Sequence, residues 1–516
     1  MRIVTPRQMQ EIDQRAIRTI GIPSLVLMEN AGAAVVDIIE RRVSRERLNI
    51  SVMCGTGNNG GDGMVVGRHL SERGHEVMVY LTAPRAQYRG DAGTQLRILS
   101  RMGIPVTVLS TARSLERARR RFEESDVAVD ALFGTGLERE VAGLFAEAVA
   151  VINACPGLVA AVDIPSGING QSGLPMGASV TADVTVTLAF PKPGLLLFPG
   201  ADHAGEVVVA DIGIPGAASD GVPPDGWVVG TGVIHDAFPG RWENTHKGTY
   251  GHLLVCSGSS GKAGAGILAA MAALRAGAGL VTLAVPSSYS HHIDSSIPEV
   301  MTAPLPETSD GTLSKSGTMA LRSLIGERDA LAIGPGLSMN EETSELVRDV
   351  LSWSGFPAVV DADALNAIGG DLESLRKRGE QTVLTPHPGE MARLMGMETP
   401  AVQEDRIGTA LRCSRRSNCV VVLKGARTVV ASPDGTYHIN LTGNPGMATA
   451  GTGDVLTGII GALLARGVDT VTSALASVYL HGSAGDRASE EATEHGMTAL
   501  DLISHMGPAL KSQLGD

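Results

Sequence analysis

The sequence predicts two α/β domains in series, each a largely parallel sheet with helices on both faces, and three observations carry that prediction. The chain has 516 residues, and at about 100–200 residues per domain this is too long for a single unit. Short β-branched runs alternate with helical patterns through both halves, which is the rhythm of strand–helix–strand units. Most runs are apolar throughout instead of alternating, as parallel strands covered on both faces must be.

In the first half the runs are NISVMCG (49–55), EVMVYL (76–81), PVTVL (105–109), VAVDALFG (127–134), LVAAVDIPSG (158–167), VTVTLAF (184–190) and GEVVVADIGIP (205–215). The segment GAASDGVPPDGW (216–227) is rich in Gly, Pro and Asp without periodicity, the composition of a linker. The expected boundaries are a first domain over 1–215, a linker over 216–235 and a second domain over 236–516. The second series reads GHLLVCSG (251–258), GLVTLAVP (279–286), ALAIGPG (330–336), AVVDADAL (358–365), TVLTPHPGE (382–390), CVVVLKG (419–425) and RTVVASPDG (427–435). Residues after 450 look helical. DVLTGIIGALLARG (454–467) is apolar nearly all round and reads as a buried helix starting at Asp454 and stopped by Gly467.

Composition excludes several functions. Hydrophobic residues are 43% of the chain and charged residues 19%, enough for a core. A net charge of −13 and 3% aromatics leave neither a phosphate-neutralising surface nor stacking platforms, so no nucleic-acid partner is expected. The five cysteines are scattered with no C-x-x-C pair, which argues against disulfide frameworks and zinc. MRIVTPRQMQEIDQRAI is charged within its first turns and lacks the apolar core expected of a signal peptide, and no apolar run is long enough to span a bilayer. The expectation is a cytoplasmic protein with no membrane partner.

Two loops carry the chemistry. GTGNNGGDG (55–63) follows a strand and precedes MVVGRHLSERG, read as a helix ending at Gly74. Glycines in such a turn permit positive φ and close backbone approach, and the helix N-terminus offers N–H groups to an anion. The pattern is neither a dinucleotide fingerprint nor a P-loop, so it reads as an anion or nucleotide loop; the plain alternative is a tight turn capped by Asn and Asp. Asp130 and Asp163 end neighbouring strands, where ligands of open α/β sheets lie. In the second half, Gly451-Thr452-Gly453-Asp454 opens a buried helix, so backbone N–H groups and the helix dipole converge beside a carboxylate. Phosphoryl transfer needs that pairing: a cradle for the transferred group and a base for the attacking hydroxyl. His387, Glu390 and Lys424 follow other strands of this half.

LMENAG (27–32), NNGGDG (58–63), ALFGTGL (131–137), VDIPSG (162–167) and PKPGLLLFPGADHAGEVVVADIGIP (191–215) together resemble the NAD(P)H-hydrate epimerase family over residues 1–215. That resemblance implies a Rossmann-like fold. It implies that Asn58, Asn59, Gly60, Gly61 and Asp62 cradle the substrate's phosphates, and that Asn59, Asp130 and Ser166 coordinate potassium (K+). Gly134, Thr135, Gly136, Leu137, Glu138, Arg139 and Glu140 would line the nicotinamide nucleotide, and Asp163 would accept or donate the proton at the reacting carbon. Glu140 stands where the family commonly has proline.

The second half resembles the ribokinase-like superfamily. Within it, THKGTYGHLLV (245–255), GAGILAAMAALRAGAGLVTLAVP (264–286), IPEVM (297–301), AIGPGL (332–337), DADALNAI (361–368), TPHPGEMARL (385–394) and GNPGMATAGTGD (443–454) look like the ADP-dependent NAD(P)H-hydrate dehydratase family over about 240–510. The implied roles are ADP binding by Lys424, Gly425, Ala426, Arg427 and Thr428 and by Asn444, Gly446, Gly451, Thr452 and Gly453. Ala265, Gly336 and His387 would contact the hydrate, Glu390 would help place magnesium (Mg2+) indirectly, and Asp454 would deprotonate the substrate hydroxyl. Ser338 and Ala450 stand where that family usually has glycine.

The joint resemblance implies a bifunctional isomerase and lyase of metabolite repair. It would epimerise the R and S forms of hydrated NADH and NADPH (NADHX and NADPHX) and dehydrate the S form, converting ADP to AMP and phosphate. A homo-oligomer is expected. Two other readings fit parts of the sequence: a small-molecule kinase of the hydroxyethylthiazole or hydroxymethylpyrimidine type, and an N-terminal binding module without activity.

Overall fold

The computed structural model describes residues 1–43 and 45–515, the side chains of residues 295 and 380 aside. The chain divides into two compact units, Arg2–Asp225 and Gly226–Asp516 with Met1. The segment 216–235 is not irregular throughout: it holds helix Gly216–Ser219, strand Gly226–Val228 and the start of helix Gly232–Ala237.

The first unit is built on a seven-stranded sheet. Its strands are β1 (Asn49–Cys54), β2 (Glu76–Leu81), β3 (Val106–Val108), β4 (Val127–Ala131), β5 (Leu158–Val162), β6 (Val184–Leu188) and β7 (Glu206–Ala210). They lie in the order β3-β2-β1-β4-β5-β6-β7 and every pairing is parallel. The chain winds outward from β1 to β3, then returns to the other side of β1 with β4. The loops leaving β1 and β4 therefore diverge and open a crevice at the carboxyl ends, the usual ligand position of such sheets.

The second unit repeats this logic. Its strands are β8 (Gly226–Val228), β9 (His252–Cys256), β10 (Leu280–Pro286), β11 (Met301–Leu305), β12 (Ala330–Ile333), β13 (Ala358–Val360), β14 (Thr382–Leu384), β15 (Val420–Leu423), β16 (Val429–Ala431) and β17 (Tyr437–Ile439). Within this unit the order is β8-β17-β16-β15-β14-β13-β12-β9-β10-β11, parallel except where β16 runs antiparallel to β15 and β17. The winding reverses between β9 and β12, and a second crevice opens there. Strands β8, β11 and β17 lack a long apolar run, and Pro304 interrupts β11, so the sequence pattern passes over them.

The apolar segment after the glycine loop is helix Thr452–Ala465, buried along nearly its whole length, with Gly467 beyond it at φ +81. It starts two residues before the expected Asp454. It packs against helix Ala263–Arg275 so closely that a Cβ on Gly458 would lie 2.1 Å from the Ala269 carbonyl oxygen. Among the described residues, no helix is long and apolar enough to cross a membrane.

Candidate active sites

In the first unit the glycine loop is not a turn of positive-φ residues. Helix Asn58–Glu72 begins at Asn58, so Gly60, Gly61 and Gly63 lie in its first turns with ordinary helical φ. They are glycines because of close approach: a Cβ on Gly60 would meet the Gly55 carbonyl oxygen at 1.8 Å, and one on Gly63 the Ala131 Cβ at 2.4 Å. The helix thus seats its N-terminus directly on the ends of β1 and β4, where its free N–H groups face the crevice. Asn58 is exposed while Asn59 and Asp62 are buried.

Asn59 meets the loop after β4: a Cβ on Gly134 would sit 3.4 Å from its own Cβ. Along that loop Gly136, Glu138, Arg139 and Glu140 are exposed, whereas Thr135 and Leu137 are half-buried. Asp130 is fully buried and bonded to one residue twice, accepting from Ser166 Oγ at 2.6 Å and from the Ser166 backbone N–H at 2.7 Å. Burial pushes its carboxyl up to about 6 against those hydrogen bonds. Asn59 leaves both amide atoms buried with no hydrogen-bond partner among the described residues. A buried unpaired amide is costly, and its oxygen lies in the same crevice as the Asp130–Ser166 pair. This all-oxygen donor set suits a hard cation.

Asp163 lies beyond β5 with φ +67, a strained backbone for a non-glycine residue. Its Oδ1 pairs with the Lys192 ammonium and accepts from the Leu188 N–H at 3.1 Å and the Thr187 hydroxyl at 3.3 Å. Two further carboxyls face this group. Burial, aided by Asp163, holds Asp62 well above the usual range, and burial pushes Asp13 up to about 6.

In the second unit the crevice is a cleft of about 440 Å³ lined by Gly261, Lys262, Gly264, Ala265, Leu268, Gly336, Asp363, Ala450, Gly451 and Asp454. The two loops that bound it are tied together, Gly258 N–H to the Pro335 carbonyl at 3.2 Å and Ser259 Oγ to that of Gly336 at 2.8 Å. Gly336 has φ +63, and a Cβ there would strike the Lys262 carbonyl at 2.6 Å. Ser338 adopts φ +70, whereas Ala450 has no positive φ. Serine at 338 therefore carries backbone strain that glycine would relieve, and alanine at 450 does not.

Gly451 turns the chain into the helix at φ +91, and Asp454 stands in the first helical turn. Burial, with Asp361 adding to it, pushes the Asp454 carboxyl up to about 6. Lys424 lies across the loop, where a Cβ on Gly453 would be 3.6 Å from its Nζ. Its ammonium donates to Asp361 at 2.6 Å and stands 3.8 Å from Glu390. Burial works against that charge, but Asp361 and Glu390 outweigh it and hold its pKa above the ordinary value. Thr457 Oγ1 donates to the other Asp361 oxygen at 2.7 Å.

His387 caps its helix: Nδ1 accepts from Gly389 and Glu390 N–H, and Nε2 faces Glu390 Oε1 at 3.3 Å. This network assigns the neutral tautomer protonated at Nε2, and burial with Lys424 lowers the ring's pKa accordingly. Gly425 and Ala426 are exposed and Arg427 and Thr428 half-buried. Asn444 donates to Asp486 at 3.1 Å and accepts from the Gly446 N–H at 3.0 Å. Thr452 Oγ1 reaches the carbonyls of Met447 and Thr449.

Residues 24–194 match a family described as YjeF-related protein N-terminus, and residues 253–507 match one described as NAD(P)H-hydrate dehydratase. A bifunctional NAD(P)H-hydrate repair enzyme of Moorella thermoacetica is 45% identical over 514 residues, 99% of this chain and 97% of that protein. The chain belongs to the family of bifunctional NAD(P)H-hydrate repair enzymes. A solved ribokinase-like superfamily protein from Enterococcus faecalis V583 covers 56% of this family member and 96% of its own chain at 24% identity and a TM-score of 0.50, a likeness of fold. An ADP/ATP-dependent NAD(P)H-hydrate dehydratase from Bacillus subtilis, co-crystallised with ATP and Mg2+, is 30% identical, covers 56% of this chain and 98% of its own, and has a TM-score of 0.47.

The motifs that mark the two sites in the sequence give no role to Asp13, Thr187, Lys192 or Asp361. Lys192 carried a usable signal, a lone cation between prolines directly after an apolar strand. Asp361 ends β13 in DADAL, a strand end that the sequence marked without assigning its partner.

Proposed function

We propose that the first unit interconverts the R and S epimers of hydrated NADH and NADPH and that the second dehydrates the S epimer with ADP as phosphoryl donor. One observation carries this reading. Each unit sets an acidic side chain beside a helix N-terminus at the reversal point of its sheet, so the same phosphate-bearing substrate suits both crevices.

Hydration of the reduced nicotinamide ring leaves a hydroxyl at C6, next to the ring nitrogen. Inverting that carbon requires the hydroxyl to leave as the nitrogen lone pair moves in, and water to return on the opposite face. A proton is delivered in the first event and taken back in the second. Asp163 is the group we assign to carry it, with the N-terminus of Asn58–Glu72 holding the phosphates. Asn59, Asp130 and Ser166 would hold K+, which when bound supplies positive charge next to those phosphates.

In the second unit Asp454 takes the proton of the C6 hydroxyl as its oxygen attacks the terminal phosphate of ADP, releasing AMP. The N–H groups of Gly451–Gly453 and the Lys424 ammonium face the charge that develops. Phosphate then leaves C6 as the ring nitrogen lone pair forms an iminium, and loss of a proton from C5 sets the C5–C6 double bond, giving NAD(P)H and phosphate. Both Glu390 oxygens are engaged by His387, so this carboxylate would reach Mg2+ only through water; the ion when bound shields the phosphates. The in-line geometry serves one epimer only, which is why an epimerase accompanies the kinase-like unit.

We assign the reaction to the cytoplasm, and all five cysteines are unpaired and buried. The test supplies both epimers with Mg2+ and either ADP or ATP and follows reduced-coenzyme absorbance. Complete recovery with ADP supports the reading; accumulation of a stable phosphorylated hydrate contradicts it.

A further inference from the structure

The mechanism above leaves one buried charge unused. The Lys192 side chain is 0% exposed, so no substrate touches it. Its ammonium pairs with Asp163 and also donates to Thr187 Oγ1 and to the Leu188 carbonyl, both at 3.1 Å. An ammonium held fully out of water is costly unless it is paired and hydrogen-bonded, and the partners of this one all converge on a single carboxylate.

That carboxylate is held asymmetrically. Lys192, the Thr187 hydroxyl and the Leu188 N–H all bond Oδ1 of Asp163, and no described residue bonds Oδ2. The residue also has the left-handed φ noted above, a conformation that persists only where the surroundings over-determine it. Three donors on one oxygen do that.

We propose that Lys192 is a positioning residue for epimerisation: together with Thr187 and the Leu188 N–H it pins Oδ1 of Asp163, so that Oδ2 alone carries the proton at C6. This deepens the epimerase reading and rests on it. The charged neighbours fit. Asp13 on helix Pro6–Gln14 and Asp62 on helix Asn58–Glu72 are the other titratable groups facing this cluster, and burial holds both towards their neutral forms. Among the described residues the Lys192 ammonium bonds Asp163, Thr187 and the Leu188 carbonyl and neither of these two carboxyls.

The test uses the full chain and separated R and S hydrates of NADH with Mg2+ and ADP. Conversion of the R form requires both units, whereas the S form requires only the second. Lys192→Met keeps the length of the stem and removes the charge. It is expected to lower kcat for the R form by about 100-fold, the scale of a misplaced proton-transfer group, with KM within about twofold and S conversion unchanged. Lys192→Arg, which restores the cation, should recover most of the lost kcat. Thr187→Val, which removes a single donor, should cost about tenfold in kcat and serves if Lys192→Met does not fold. Native kcat for the R form in Lys192→Met or Thr187→Val, with R conversion absent in Asp163→Ala, would overturn the inference and leave the epimerase reading standing. Native R conversion in Asp163→Ala would overturn the epimerase reading itself.

Discussion

Each unit pairs a lysine with an aspartate at the end of its sheet, and the two pairs differ in what the lysine can reach. Lys192 is enclosed completely and serves one carboxylate oxygen. The Lys424 side chain is 19% exposed, lies between Asp361 and Glu390, and faces the glycine loop across from Asp454. A closed pair can only fix the geometry of another residue. An open one can offer its charge to a ligand. The same two residue types thus support an acid–base centre in one unit and an anion cradle in the other.

The largest effect expected from this contrast is in the second unit. Asp454→Ala removes the base while leaving the cradle, and dehydration of the S form should fall about 10³-fold or more in single-turnover kinetics. Epimerisation of R to S, followed by chromatography of the two hydrates, should continue. Gly60→Ala in the first unit forces a Cβ against a backbone carbonyl at 1.8 Å. Helix Asn58–Glu72 must shift, with a loss of about 1–3 kcal/mol in unit stability and of most R conversion. Gly453→Ala meets only the flexible Lys424 Nζ at 3.6 Å; melting curves should move little and nucleotide KM should change only severalfold.

Lys424→Met should raise the KM for ADP about tenfold, a difference of about 1.4 kcal/mol. It should also destabilise the unit, because it strands the buried Asp361 carboxylate. Lys192→Met should leave ADP binding untouched. Titration calorimetry and R-epimer kinetics on the two variants would sharpen or break the distinction between an open and a closed pair.

A smaller effect is expected in the pH profile. Asp454 acts as a base only when ionised, and burial raises its carboxyl to about 6. Dehydration should therefore be fully active above that value and fall as the pH drops through it, by about tenfold per unit. An acid limb starting near pH 4 would mean that the carboxylate is not buried during turnover.

Much of this architecture is legible in the sequence because it is local. Apolar runs such as NISVMCG and TVLTP mark the strands, and the all-apolar helix after GTGD is buried as its pattern implies. The glycines of NNGGDG signalled close backbone approach correctly, but not that the helix already starts at Asn58; a turn and a helix packed hard on strand ends call for the same residue. Strand β17 is three residues long and has no pattern of its own, since it exists only by pairing with its neighbours. The lysine pairs were illegible for a similar reason. Lys192 and Asp163 are 29 residues apart, Lys424 and Asp361 are 63 apart, and Thr457 reaches Asp361 across 96. Periodicity and spacing carry no information about contacts at such separations.

The central claim is that two separate carboxylates act on the same carbon, one inverting it and the other removing its hydroxyl. It is tested most directly by giving Asp163→Ala a mixture of both epimers with Mg2+ and ADP and following the absorbance. The account predicts a prompt phase whose amplitude equals the S fraction, then a slow remainder at the uncatalysed epimerisation rate. Complete recovery in a single fast phase would contradict it.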